Sequence, residues 1–268
     1  MSVATYKKGY LLPMEVRKLL YATDLKENSL SFDLLQGILP LRELSLNEIT
    51  FLQTTPFDPW FKGLSDLSIK SKIILDDQLS ASGILNAAKN EGTSLIVVNL
   101  NTKEGNGFKN SIIRQLIKKT SLPVLFVNSA NKKIKPDQKG IFASVVFATN
   151  WSYTSDKALN FLLDFKKVLG ELEIVHVIQG KLTIKEMREL KNRVMRSRKI
   201  CLDNKIDAES HIYAGKISEE ILTAARDYKA AMVVVGGQSE KEGLSRFFKK
   251  SSSLKVVCEA DLPVIVVP

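Results

Sequence analysis

Lys18-Leu-Leu-Tyr-Ala-Thr-Asp24 returns 126 residues later as Ser144-Val-Val-Phe-Ala-Thr-Asn150, and that echo decides the fold. Two further echoes keep the same order. Ser94-Leu-Ile-Val-Val-Asn-Leu100 returns as Ala231-Met-Val-Val-Val-Gly-Gly237, and Ser121-Leu-Pro-Val-Leu-Phe-Val127 as Asp261-Leu-Pro-Val-Ile-Val-Val267. One apolar run ending in Ala-Thr-Asp can arise by chance; three in register mean two copies of one domain. The offset grows from 126 to 137 to 140, which places insertions inside the second copy. The copies divide as 1–128 and 140–268, with the polar, lysine-rich stretch 129–139, containing Pro136, as the linker.

Between the echoes, strands and helices alternate. In the second copy the pattern predicts a strand at Ser144–Ala148 and a helix at Ser155–Leu169 capped by Thr154 or Ser155. A strand at Leu172–Ile178 and a basic helix from about Thr183 to Cys201 follow, then a strand at Ala208–Tyr213 and a helix at Ser218–Tyr228. Ala231–Val235 is a continuous apolar run, as a strand covered on both faces should be. A helix around Ser251–Ala260 and a strand at Pro263–Val267 close the unit. The first copy reads as an abridged version. Its helices fall at Leu30–Leu39, Ala81–Lys89 and Ser111–Lys119, and its strands near Glu48–Gln53, Lys72–Leu75 and Leu95–Val98. Thr54–Asp66, with Pro56, Pro59 and Trp60, is too short for the long basic helix of its twin. Alternation of this kind builds a parallel, doubly wound α/β sheet.

Composition bounds the function. At 268 residues each copy can bury its own core, and no apolar run approaches the roughly 20 residues that span a bilayer. No membrane partner and no secretory leader are expected. Cys201 and Cys258, far apart, suit buried small hydrophobes in a reducing cytoplasm better than a metal site or a disulfide framework. A net charge of +10 permits an anionic partner, and much of the excess lies in Lys181–Lys199. Within it Met187, Leu190 and Val194 keep helical spacing, so the cations read as the solvated side of a packed helix. No aromatics interleave with them, so nucleic acid is not expected.

The chain resembles the universal stress protein family in its tandem form. The resemblance rests on the strand ending in Ala-Thr-Asp24 before Asn28-Ser29, and on Gly243-Leu-Ser-Arg-Phe-Phe-Lys-Lys-Ser251 followed by Leu262-Pro-Val-Ile-Val-Val-Pro268. It implies two flavodoxin-like or Rossmann-like α/β/α sandwich domains, each with a five-stranded parallel sheet. Such domains commonly pair through the last strand, here inside one chain as a pseudo-dimer or again as a homodimer. Many family members bind ATP or AMP through Gly-x-x-Gly, about nine residues, then Gly-Ser/Thr, with an Asp closing the first strand. No cofactor follows from the residues themselves; ATP or AMP is what the resemblance implies.

This chain departs from that pattern twice. In the second copy the family positions fall on Ala148, Asn150, Val177, Gly215, Gly236, Gly237, Lys250, Ser251 and Ser252. Asn150 replaces the acid, Ser239 or Glu240 the second glycine and Lys250 the third. In the first copy Asp24 is kept, but Asn99 and Asn110 replace glycines and only Ser111 survives. A side chain where backbone must approach a phosphate obstructs the nest. Alternatively, Gly236 and Gly237 form a tight turn, and Ser111 and Ser251 cap helices. If Gly236 serves a phosphate, Gly236→Val removes affinity without unfolding the domain. His176 and His211 fall in strands, no catalytic constellation or metal cluster is legible, and no enzyme is expected. The leading expectation is a cytoplasmic regulatory protein with degenerate nucleotide sites and an unidentified protein partner. An ATP- or AMP-binding sensor using the second copy, and a basic module for an acidic partner or nucleic acid, are the alternatives.

Overall fold

The structure, a computed structural model, describes residues 15–24, 35–56, 61–100, 106–128, 140–237 and 252–268. The strands run β1 Lys18–Thr23, β2 Glu48–Gln53, β3 Lys70–Leu75, β4 Leu95–Leu100, β5 Val124–Asn128, β6 Ser144–Ala148, β7 Glu171–Ile178, β8 Asp207–Ala214, β9 Met232–Gly236 and β10 Val264–Val267. Each half contributes five parallel strands, and the two sets join into one ten-stranded sheet, ordered β3-β2-β1-β4-β5-β10-β9-β6-β7-β8. The seam is the only antiparallel pairing among them: Val264 faces Phe126, Ile265 faces Leu125 and Val266 faces Val124. Pairing through the last strand thus occurs within the chain.

The central strands are nearly continuous runs of Val, Ile and Leu because both their faces are covered. One face carries the helices Phe61–Asp66, Tyr153–Asp164 and Ile184–Asp203 and the 3-10 turn Leu39–Leu44. The other carries Ala81–Glu91, Asn106–Lys119, Ile217–Asp227 and Ser252–Glu259. Each apolar layer crosses the seam without a break: Leu125 and Val127 share one with Ile265 and Val267. Gly140 reinforces the join. It sits at φ +59, and a Cβ there would lie 2.1 Å from the Gly37 carbonyl oxygen, so only glycine lets the two backbones meet.

Register shows where the copies diverge. Lys18 aligns with Glu48 and Lys70 across β1–β3, as Ser144 aligns with Glu171 and Asp207 across β6–β8. The offset is therefore 126 at the first strand, 123 at the second and 137 at the third. The second copy is shorter before its second strand and longer after it, which corrects the expectation of an offset that only grows. The added length is the 20-residue helix Ile184–Asp203, opposite the six-residue helix Phe61–Asp66.

Several boundaries move for local reasons. The helix expected at Ser155–Leu169 is Tyr153–Asp164, because Ser152 caps it by accepting from the Ser155 N–H. Thr183 caps the basic helix, and the Glu186 carboxylate reaches back to the Thr183 N–H in a capping box. The helix expected to start at Ser111 starts at Asn106, so Gly107 belongs to it. Cys201 is buried as expected. Cys258, expected to be buried as well, is exposed on the helix Ser252–Glu259. Of the helix expected at Leu30–Leu39, residues 30–34 lie outside the described residues, and 35–38 are helical. The linker 129–139 also lies outside them.

Candidate functional site

From β6 the chain steps outward to β7 and β8, then returns to lay β9 and β10 on the other side. The strand order reverses between β6 and β9. A ligand in a doubly wound sheet sits beyond the carboxyl ends of the strands at such a point. Ala148 ends β6 there, Val177 lies near the end of β7, Gly236 ends β9, and Gly215 follows β8. The second-copy residues singled out by sequence that are described therefore converge on one end of the sheet. Ser252 is present as the exposed first residue of its helix, while Ser239, Glu240, Lys249, Lys250 and Ser251 lie outside the described residues.

The two glycines are occupied by the fold. A Cβ on Gly236 would stand 2.8 Å from the Ser155 nitrogen and from the Thr154 carbonyl carbon. The close approach that Gly236 permits is thus to the start of the 153–164 helix. Gly237 donates its N–H to the Val267 carbonyl at 2.7 Å and accepts from the Thr154 hydroxyl at 2.8 Å. Its amide is therefore already paired. These contacts revise the expectation that Gly236→Val leaves the domain folded. Gly215, at φ +154, sits against the Glu220 carboxylate, a backbone geometry that favours glycine. Asn150 is similarly engaged: its Oδ1 accepts from the Ser155 hydroxyl at 2.7 Å and the Ser152 N–H at 3.1 Å, forming the turn into the helix.

Beside this turn lies an open cleft of about 350 Å³, between the ends of β6 and β7 and the first turns of the 184–203 helix. Its wall is Trp151, which sequence reasoning passed over. Trp151 has φ 55, unusual for so bulky a residue, and is held there from several directions. Its N–H donates to the Thr149 hydroxyl and its indole Nε1–H to the Ser197 hydroxyl, each at 3.1 Å. Its ring lies 4.4 Å from His176, and the Arg193 guanidinium stands 5.8 Å over it. His176 Nδ1–H donates to the Thr149 carbonyl at 2.8 Å, leaving Nε2 as the acceptor nitrogen of the neutral ring. Burial pushes the His176 pKa down; the Thr149 carbonyl opposes this and Arg193 adds to it. The available signal in the sequence was adjacency: Trp151 directly follows Asn150. Val177 and Asn150 line the same cleft, so two positions chosen from sequence belong to it.

The first half closes the matching point. Asn99 stands at the register of Gly236 and is 1% exposed. Its Nδ2 donates to the Tyr21 hydroxyl at 2.9 Å, and its Oδ1 has no hydrogen-bond partner among the described residues. A buried amide fills the space where a glycine would leave room. Asp24 follows β1 directly, but Ser111 lies well inside its helix, exposed, accepting from Gln115 Nε2 at 3.2 Å. Ser111 therefore caps nothing, contrary to expectation, because the helix begins a turn earlier.

A second polar group lies away from the cleft. His211 Nε2 is 2.6 Å from the Glu173 carboxylate, and the Tyr228 hydroxyl is 3.0 Å from its Nδ1. These groups tie the edge strand β8 to β7 and to the end of the 217–227 helix. Among the described residues no three His, Cys, Asp or Glu side chains cluster as a metal site would need.

Residues 142–268 match the model of the Universal stress protein family. A universal stress protein from Archaeoglobus fulgidus DSM 4304 has a similar fold over 94% of this chain and 96% of its own, at 20% identity and TM-score 0.65. A functionally unknown protein from Pseudomonas aeruginosa PAO1 matches 95% of this chain and 93% of its own, at 16% identity and TM-score 0.63. No curated protein matches the chain in sequence.

Proposed function

We propose that this chain, whose second half matches the universal stress protein family, is a cytoplasmic regulatory binding protein whose nucleotide sites have been turned over to packing. The observation that carries this reading is the engagement of the phosphate-side backbone in the second half. The Gly237 N–H is bonded to Val267, and Gly236 is packed on Thr154 and Ser155. An anion at that place needs unpaired amides pointing at it, and this one is taken. Asn99 supports the same reading for the first half, since a buried side chain stands where close backbone approach is required. The chain then works through its surfaces, with no catalytic step assigned to it.

A second reading is favoured by the cleft itself. It is walled by an indole fixed in place and floored by Val177 and Ile178, which suits one planar heterocycle. In this reading AMP or ATP is held chiefly through its base, with Asn150 at its edge and no fixed phosphate nest.

Calorimetric titration of ligand-free protein with ATP, AMP and GTP separates the two. Flat heats for all three support the first reading. Micromolar, adenine-selective heats that vanish in Trp151→Ala overturn it in favour of the second.

A further inference from the structure

The 184–203 helix turns an unusual side to solvent. Its inner stripe, Leu190, Val194, Ser197 and Cys201, packs on the sheet. Turned about 125° around the helix from that stripe, Ile184, Arg188, Lys191, Met195, Lys199 and Leu202 follow one another at spacings of four, three, four, four and three, a single solvent-facing line. Ile184 is 83% exposed, Met195 67% and Leu202 43%. Scattered exposed apolar residues are ordinary, but three aligned along about 27 Å of one helix form a feature.

Cations stand on that line between the apolar residues and beside it. Arg193 and Arg198 are drawn inward, the first over Trp151 and the second to the Ala208 carbonyl and Glu209. Lys185, Arg188, Lys191, Arg196 and Lys199 make no ion pair or hydrogen bond among the described residues. Of the acids on this helix, Glu186 is bound to Thr183 in the capping box, Glu189 lines the cleft, and Asp203 ends the helix one turn after Lys199, so five cations face this one remaining acid. The outward face is therefore a convex ridge of positive charge with an apolar crest.

We propose that this ridge docks on an anionic membrane surface, lying in the interface rather than crossing it, in departure from the expectation of no membrane partner. No helix among the described residues is long and apolar enough to cross. A bilayer is the partner whose chemistry matches both components at once: anionic headgroups for the cations, and the acyl boundary for Ile184, Met195 and Leu202. Lysine and arginine stems flanking the crest can lie along the apolar layer while their charges stay at headgroup level. Against nucleic acid, the crest would set three apolar side chains on phosphates, with no aromatic on the line to stack and no amide to read a base. A flat surface also suits a convex ridge better than a pocketed partner does.

The test uses the full chain and vesicles of phosphatidylcholine, alone or mixed with phosphatidylglycerol, in a sedimentation assay at low and high salt. Binding is expected only with the anionic lipid and is expected to weaken with salt. Arg188→Gln, Lys191→Gln and Lys199→Gln each weaken it about fivefold, and Met195→Gln weakens it without altering the salt dependence. All four sites face solvent, so melting temperatures should hold. Absence of binding to the anionic vesicles at low salt overturns the proposal. So does Met195→Gln binding as tightly as the parent, or tighter association with duplex DNA or polyglutamate than with the vesicles. None of these outcomes depends on whether the cleft takes a nucleotide.

Discussion

Gly236→Ala is expected to weaken the fold before it affects any ligand. The added Cβ would sit 2.8 Å from two backbone atoms, the Ser155 nitrogen and the Thr154 carbonyl carbon, and 2.9 Å from the Thr154 hydroxyl. Ordinary contacts begin near 3.4 Å, so the start of the 153–164 helix must retreat by about 0.6 Å. Backbone cannot swing aside as a flexible side-chain end can. The retreat also strains the Thr154 bond to the Gly237 carbonyl and the Asn150–Ser155 turn. Overpacking of this kind costs about 1–3 kcal/mol. At about 2–4 °C per kcal/mol for a domain of this size, the melting temperature should fall by roughly 2–12 °C. Gly63→Ala is the control, because a Cβ there meets nothing within 4 Å and its helix tolerates alanine. It should gain about 0.4–1 kcal/mol. Calorimetric melting of both variants checks the pair. If Gly236→Ala melts at or above the parent temperature, the glycine is not there for packing and the reasoning fails.

Three further outcomes follow from the same geometry. His176 should titrate below the ordinary 6.5, so as pH falls below that value the unfolded chain binds protons that the folded one refuses, and stability declines; above it the group contributes nothing. Arg193→Met should move that titration back up, as read by NMR of the His176 ring, and no upward movement would remove Arg193 as a cause. Burial holds the Cys201 thiol up to about 11, while Cys258 is exposed, so a thiol reagent should label one cysteine in the native protein and two after unfolding. Native labelling that survives Cys258→Ser would contradict this. Tyr21→Phe removes the acceptor of the buried Asn99 amide and should cost about 1–3 kcal/mol in urea unfolding; a smaller loss would mean that the amide finds another partner.

Much of the fold was readable because its signals are local. The runs Leu95–Val98 and Met232–Val235 are apolar throughout, which only a sheet covered on both faces explains, and their repetition fixed two units. Helix starts were read less well. A cap is a side chain reaching one particular N–H, and Ser152, Thr154 and Ser155 are equivalent as letters; only geometry selects Ser152. Ser111 failed for a related reason, since nothing in its neighbours says that the helix begins at Asn106. At the site, Asn150 and Val177 were found from pattern, but the use to which Gly236 and Gly237 are put was not. A glycine that admits a ligand and a glycine that admits a helix have the same letter. Trp151 was missed because its role depends on a positive φ and on Ser197, His176 and Arg193, which converge on it from distant parts of the chain.

The β5–β10 seam also frees the two halves from matching. In an assembly of identical subunits related by a two-fold axis, every substitution appears on both sides, so a change that suits one side must be tolerated by the other. Here the partners are consecutive stretches of a single polypeptide, and each can drift alone. One half has a 20-residue helix where the other has six residues, and one has an asparagine where the other has a glycine. The seam therefore allows division of labour: one side can become a platform while its sibling explores new surfaces, with neither change imposed on both.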